Sequence, residues 1–73
     1  MPKQINIAEI QVKTWLTEEE AARYAGMSAR QIRSLRLEGT QIGTLPYSRI
    51  SANVRIKRTE LDKFFEQHAV KSA

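Results

Sequence analysis

Seventy-three residues, 41% of them hydrophobic and with a formal net charge of +4, make one small domain with a modest core. The lack of cysteine excludes disulfides and thiolate metal sites, and a lone histidine, His68, excludes a multi-imidazole site and a Cys–His nucleophile pair. No apolar run approaches membrane-spanning length and the N-terminus lacks the basic-then-apolar order of a secretory signal, so a soluble cytoplasmic protein without membrane contact is expected.

Residues 1–14 form an N-terminal arm. Its Ile5, Ile7, Ile10 and Val12 fit neither a helical nor a strand period throughout, and they suit either packing on the domain or engagement of a partner. The domain proper is expected over residues 15–70, followed by a flexible tail, 71–73. "LTEEEAARYAG" reads as its first helix, Glu18 to Ala25, with Thr17 at the N-cap and Glu20 completing a capping box. Leu16 and Ala21 can form the hydrophobic staple across that start. Three glutamates in the first turn suit the helix macrodipole, which accounts for them better than catalysis does. Gly26 ends the helix in a left-handed conformation, and Ser28 caps the next one. The helix, three-residue turn, helix spacing is that of a helix-turn-helix.

At about 100° per residue, Ala29, Ile32 and Leu35 share the inward arc of the second helix. Arg30, Gln31, Arg33 and Ser34 face out, and Arg36 lies at the edge. Leu37 falls among the arginines, which places the helix end there, ahead of Gly39. Tyr47 to Ile50 and Val54 to Lys57 then pair as a hairpin across Ser51, Ala52 and Asn53, with Val54 and Ile56 on one face and Arg55 and Lys57 on the other. A third helix starts at a Thr59 cap with Asp62 boxed, and Leu61, Phe64, Phe65 and His68 follow the i, i+3, i+4, i+7 stripe. Leu61 and both phenylalanines are expected in the core, with His68 at its edge or in solvent.

Charge is concentrated along the chain. Residues 28–58 hold seven basic side chains against Glu38 alone, whereas the segments on either side are each slightly acidic. Such a basic block is the expected footprint of a polyanion-binding surface, a solvated basic face being the alternative. None of the carboxylates is placed with a base, a metal-ligand set or a glycine-rich phosphate loop, so neither an enzyme nor a cofactor is expected.

In this order, "WLTEEEAARYAGMSARQIRSL" and "LPYSRISANVRIKRTELDKFF" resemble the small winged helix-turn-helix domains of the excisionase family, relatives of the MerR-type DNA-binding domain. The likeness covers residues 15 to 66. It departs from the family at Thr40 to Thr44, a longer link before Leu45-Pro46, and at "RSLRLEG", where the family more often has an apolar residue at Arg36 and a polar one at Leu37. The resemblance implies an α+β fold of three helices and a two-stranded β-hairpin wing, with the second helix in the major groove of double-stranded DNA and the wing in the neighbouring minor groove. It further implies a recombination directionality factor acting beside an integrase, or a small transcriptional regulator of a mobile element.

On that reading Arg30 and Arg33 are the candidates for guanine edges and Gln31 for adenine. Ser28 and the helix N-terminus suit a phosphate, and Ser34, on the outward arc, belongs to the same DNA-binding set. Arg36, Arg55, Lys57 and Arg58 are assigned to phosphates, and Arg49, Ser51 and Asn53, at or near the wing tip, to the minor groove. The competing expectation for each arginine is a solvated or salt-bridged surface residue. A second function is a protein-interaction module, using the Ile-rich arm and the basic face to engage an integrase or another acidic partner. The chain is expected to be monomeric in solution, with copies binding cooperatively to repeated sites on DNA.

Overall fold

The computed structural model describes residues 7–70. Along the chain lie α1 (Ile7–Val12), β1 (Trp15–Leu16), α2 (Glu18–Ala25), α3 (Ala29–Leu37), β2 (Ser48–Ile50), β3 (Asn53–Lys57) and α4 (Arg58–Gln67). The class is α+β, as expected. The helix-turn-helix is α2–α3, α4 is the third helix of the sequence reading, and α1 and β1 are additions to it.

The start of α2 follows its local chemistry. The Thr17 hydroxyl accepts from the Glu20 N–H at 3.1 Å, and the Glu20 carboxylate accepts from the Thr17 N–H at 3.0 Å. Leu16 and Ala21, on either side of that cap, are both fully buried. At the other end Gly26 has φ 69°, which lets the Met27 N–H reach back to the Ala22 carbonyl at 2.8 Å and closes a Schellman turn. The chain therefore turns within Gly26, Met27 and Ser28 and enters α3 directly. Ile32 is fully buried, with Ala29 and Leu35 packed against the same core.

Three antiparallel strands are ordered β1-β3-β2, in place of the expected two. Trp15 pairs with Lys57 and Leu16 with Ile56, while Ser48, Arg49 and Ile50 pair with Arg55, Val54 and Asn53. A strand of two residues carries too little alternation to be read from sequence. Because Ile50 is opposite Asn53, the hairpin turn is Ser51-Ala52, one residue shorter than expected. Ser51 has φ 56°, the only positive φ on a non-glycine residue among those described, and a positive φ at the first turn position alone belongs to a type II′ turn. Partners directly opposite share a face. Leu16, Ile56, Val54 and Arg49 therefore lie on one side, toward the helices, and Trp15, Lys57, Arg55, Ser48, Asn53 and Ile50 on the other.

The arm contributes to the core. Ile10 is fully buried, whereas Val12 is 81% exposed. Ile5 and the 71–73 tail lie outside the described residues. Two corrections concern α4. Thr59 is inside its first turn and Lys57 stands at the N-cap with no side-chain bond, because the β1–β3 pairing runs into the helix and the Arg58 N–H donates to the Thr14 carbonyl at 2.9 Å. Asp62 consequently does not close a capping box and instead accepts from the Tyr24 hydroxyl at 2.8 Å, tying α4 to α2. Phe65 is exposed at 39%, while Leu61 and Phe64 are buried. Core space on this short helix is taken by one side of its stripe.

The longer link before the hairpin is an ordered turn. Thr40 and Gly43 exchange backbone hydrogen bonds, and the Leu45 N–H donates to the Leu35 carbonyl at 3.0 Å, which sets Leu45 fully into the core. Gly39 has φ 75° and lies so close to the Gly43 carbonyl that a side chain there would collide with backbone. His68 closes the turn from outside: its Nδ1 donates to the Phe64 carbonyl at 2.6 Å and its Nε2 meets the Thr40 hydroxyl at 2.5 Å.

Candidate nucleic-acid interface

The outer surface of α3 is built by its cap and its core stripe together. Burial of Ile32 orients the helix, so Arg30, Gln31, Arg33 and Ser34 all face solvent. Arg30 has no hydrogen-bond or salt-bridge partner among the described residues. Ser28 and Gln31 form a capping box: the Ser28 hydroxyl accepts from the Gln31 N–H at 3.1 Å and the Gln31 amide oxygen accepts from the Ser28 N–H at 2.9 Å. Gln31 thus keeps its amide NH2 as a free donor, while part of its acceptor capacity is engaged in the cap. The N–H groups of Ala29 and Arg30 have no intrahelical partner, as at any helix start.

Arg36 differs from its expected role. It is four residues after Ile32 and so falls on the core stripe, not on the outer arc. Its side chain is only 8% exposed; Nη2 lies 2.9 Å and Nε 3.0 Å from Glu18 Oε2, and its guanidinium stacks 4.5 Å from the centre of the Tyr47 ring. Such a group is not presented to a phosphate. Arg33 reaches the other carboxylate oxygen of the same Glu18 with one nitrogen at 3.4 Å and stays 61% exposed. Burial alone raises the pKa of the Glu18 carboxyl, but the hydrogen bonds and charges of Arg36 and Arg33 outweigh it and hold the group below its ordinary range. Glu18 was legible as helix-start chemistry only. Its second task depends on α3 crossing the start of α2, which no local pattern encodes.

Arg58 is also engaged internally. It is half-buried, and its Nε donates to the Lys13 carbonyl at 2.9 Å. The hairpin presents the remaining cations on two faces. Arg49 lies on the helix side, its Nε donating to the Ser51 carbonyl at 3.1 Å across the turn. On the reverse side Arg55 is exposed near the tip beside Asn53, and Lys57 sits further back with its ammonium 5.9 Å from the centre of the Trp15 ring. Ser51 and Asn53 are exposed at or beside the tip. The fold therefore brings Ser28, Arg30, Gln31, Arg33 and Ser34 together on one helix and Arg49, Ser51, Asn53 and Arg55 around one hairpin tip. It separates Arg36, Arg58 and, by its distance from the tip, Lys57 from those two groups. Trp15, 46% exposed on the reverse sheet face, was not singled out by the sequence because its neighbours across β1 are distant in the chain.

Among the described residues no group of three acidic, histidine or cysteine side chains could hold a metal ion, and no helix is long and apolar enough to cross a membrane. Two helices joined at a capped three-residue turn, the second displaying unburied guanidinium groups, and a basic hairpin following them in the chain define a helix-turn-helix DNA-binding module with a wing-like hairpin. The chain belongs to the Helix-turn-helix domain family, which it matches over residues 15–69. Comparison with curated proteins and with solved structures finds no match.

Proposed function

We propose that the protein is a sequence-specific reader of double-stranded DNA that uses α3 in the major groove and the hairpin tip in the adjacent minor groove, as a recombination directionality factor of a mobile element. Arg30 and Arg33 contact base edges, and the spare NH2 of Gln31 supports them. Ser28, Ser34 and the free N–H groups at the start of α3 take a phosphate. At the wing, Arg49 and Arg55 leave the hairpin on opposite faces, which suits the two walls of a minor groove entered by Ser51 and Asn53. Lys57 reaches a flanking phosphate. The excisionase likeness over residues 15 to 66 supports this role, and a small transcriptional regulator of the same fold is the alternative that the likeness equally allows. It also supports an integrase as protein partner, a cytoplasmic location and a monomer whose copies bind side by side.

The observation that carries the reading is the exposure of Arg30 and Arg33 on the second helix of the motif, beside a third guanidinium that the fold has turned inward. Selection from a randomised duplex library followed by anisotropy titration tests it. Arg33→Ala should lower affinity for the selected site by about 1–3 kcal/mol and relax preference at one base pair. A folded variant that binds the selected site like the parent would refute the assignment of α3.

A further inference from the structure

Glu18 stands at the meeting point of two arginines with different exposures. Both bonds from Arg36 go to Oε2, at 2.9 and 3.0 Å, and both partners are largely withdrawn from solvent. That leaves Oε1 turned toward Arg33, at 3.4 Å from a single guanidinium nitrogen. A guanidinium has five N–H donors in a rigid fork, so this contact occupies one corner and leaves an edge open. Arg36 in turn is clamped between the carboxylate and the Tyr47 ring, so the carboxylate cannot follow Arg33 if that side chain swings away. A fixed anion holding one corner of a solvent-facing guanidinium restricts the side chain before any ligand arrives.

We infer that Glu18 is a positioning residue for DNA reading: anchored by Arg36, it fixes the guanidinium of Arg33 for one base-edge geometry and offsets its charge toward phosphates. The inference rests on the assignment of α3 to the major groove. Pre-ordering reduces the side-chain entropy lost on binding the correct site. Neutralisation has the opposite effect on random DNA, where a free cation would gain affinity by releasing counterion. Specific and non-specific binding therefore respond to Glu18 with opposite signs, whereas a residue needed only for folding would move both together.

The test compares parent, Glu18→Gln, Glu18→Asp, Arg33→Ala and the Glu18→Gln/Arg33→Ala double variant on two probes, the duplex selected by the parent chain and a random-sequence duplex, over a range of salt. Circular dichroism at the assay temperature establishes folding. For Glu18→Gln, affinity for the selected duplex should fall about two- to fivefold, the worth of one exposed ion pair. Its affinity for random duplex should rise, with a salt dependence steeper by about one unit. Glu18→Asp keeps the charge near Arg36 but withdraws the oxygen from Arg33, so it should lose selected-site affinity without gaining random-site affinity; it carries the test if Glu18→Gln does not fold. In the Arg33→Ala background, Glu18→Gln should leave the ratio of the two affinities unchanged. A parallel loss on both probes, or the same change in ratio with and without Arg33, would overturn the inference while leaving α3 as the reading helix. If Arg33→Ala binds both probes like the parent, or the parent selects no sequence, the α3 reading itself falls and this inference with it.

Discussion

Replacing Ile10 with Ala separates two roles for the N-terminal segment, since an interaction arm would tolerate the change and a core element would not. Ile10 is fully buried, and the substitution deletes three carbons, worth about 2.4 kcal/mol at about 0.8 kcal/mol each. The space left behind adds to that, and large-to-Ala changes in cores cost about 2–5 kcal/mol. Since α1 is only six residues long and can settle inward, a loss of about 3 kcal/mol is expected. For 73 residues the whole stability is roughly 4–11 kcal/mol at the usual value per residue, so this single change removes a large part of it. The thermal midpoint should drop by about 12–24 °C, followed by circular dichroism. Val12→Ala is the internal control: at 81% exposure it should stay within about 0.5 kcal/mol of the parent. An Ile10→Ala protein as stable as Val12→Ala would show that α1 does not belong to the core.

Arg36→Ala should lower stability by about 2–3 kcal/mol in urea unfolding, because it removes a stacked guanidinium and two charge-assisted bonds to a mostly buried carboxylate; Arg30→Ala, exposed and unpartnered among the described residues, should leave the urea midpoint in place. Acidification tests Glu18 and Glu20, whose folded pKa values are both depressed below 4.5: burial raises each, but Arg36 and Arg33 outweigh it for Glu18, and Lys13 and the Thr17 cap outweigh it for Glu20. A depressed carboxyl stabilises the fold above its unfolded pKa and loses that contribution as pH falls through the folded value. The urea midpoint should therefore decline below about pH 5, and Glu18→Gln should make the decline shallower; an unchanged acid limb would mean that the pairs contribute nothing.

The parts of the fold that were legible in the sequence are those decided within a few residues. Thr17 with Glu20, Gly26 and Ser28 fix the ends of α2 and the start of α3 by backbone hydrogen bonding, which depends little on the rest of the chain. The alternation of Val54, Arg55, Ile56 and Lys57 gave the two faces of the hairpin for the same reason. What could not be read depends on contacts between distant segments. Thr59 looks like a cap, yet the Arg58 N–H is already held by Thr14, so the ladder sets the helix start. Arg36 and Arg33 are the same residue type three positions apart, and only the approach of Glu18 and Tyr47 turns one inward. Phe65 fits a core stripe that the small domain has no second layer to cover. The turn at Ser51 looked one residue longer because a positive φ on serine leaves no compositional mark.

The inward turn of Arg36 and the tether of Arg58 limit how strongly this surface can bind DNA through charge alone. Seven basic side chains lie between residues 28 and 58, but only Arg30, Arg33, Arg49, Arg55 and Lys57 remain exposed. At about 0.9 unit of salt slope per neutralised phosphate, five cations set a limit of roughly −4.5 for log K against log salt. On the proposed reading Arg30 and Arg33 are turned to base edges, with Arg33 also partly offset by Glu18, which brings the expected value for one copy nearer about −3 than that limit, by the same relation. A surface of that kind binds random duplex weakly at physiological salt, so on the proposed reading most of its discrimination comes from α3 and from the fit of the wing. Anisotropy titrations of a short duplex that admits one copy give the slope directly. A value beyond about −4.5 would mean that cations outside this set, such as Lys13 or Lys63, also reach the backbone, and that the binding surface extends past the helix and hairpin assigned to it.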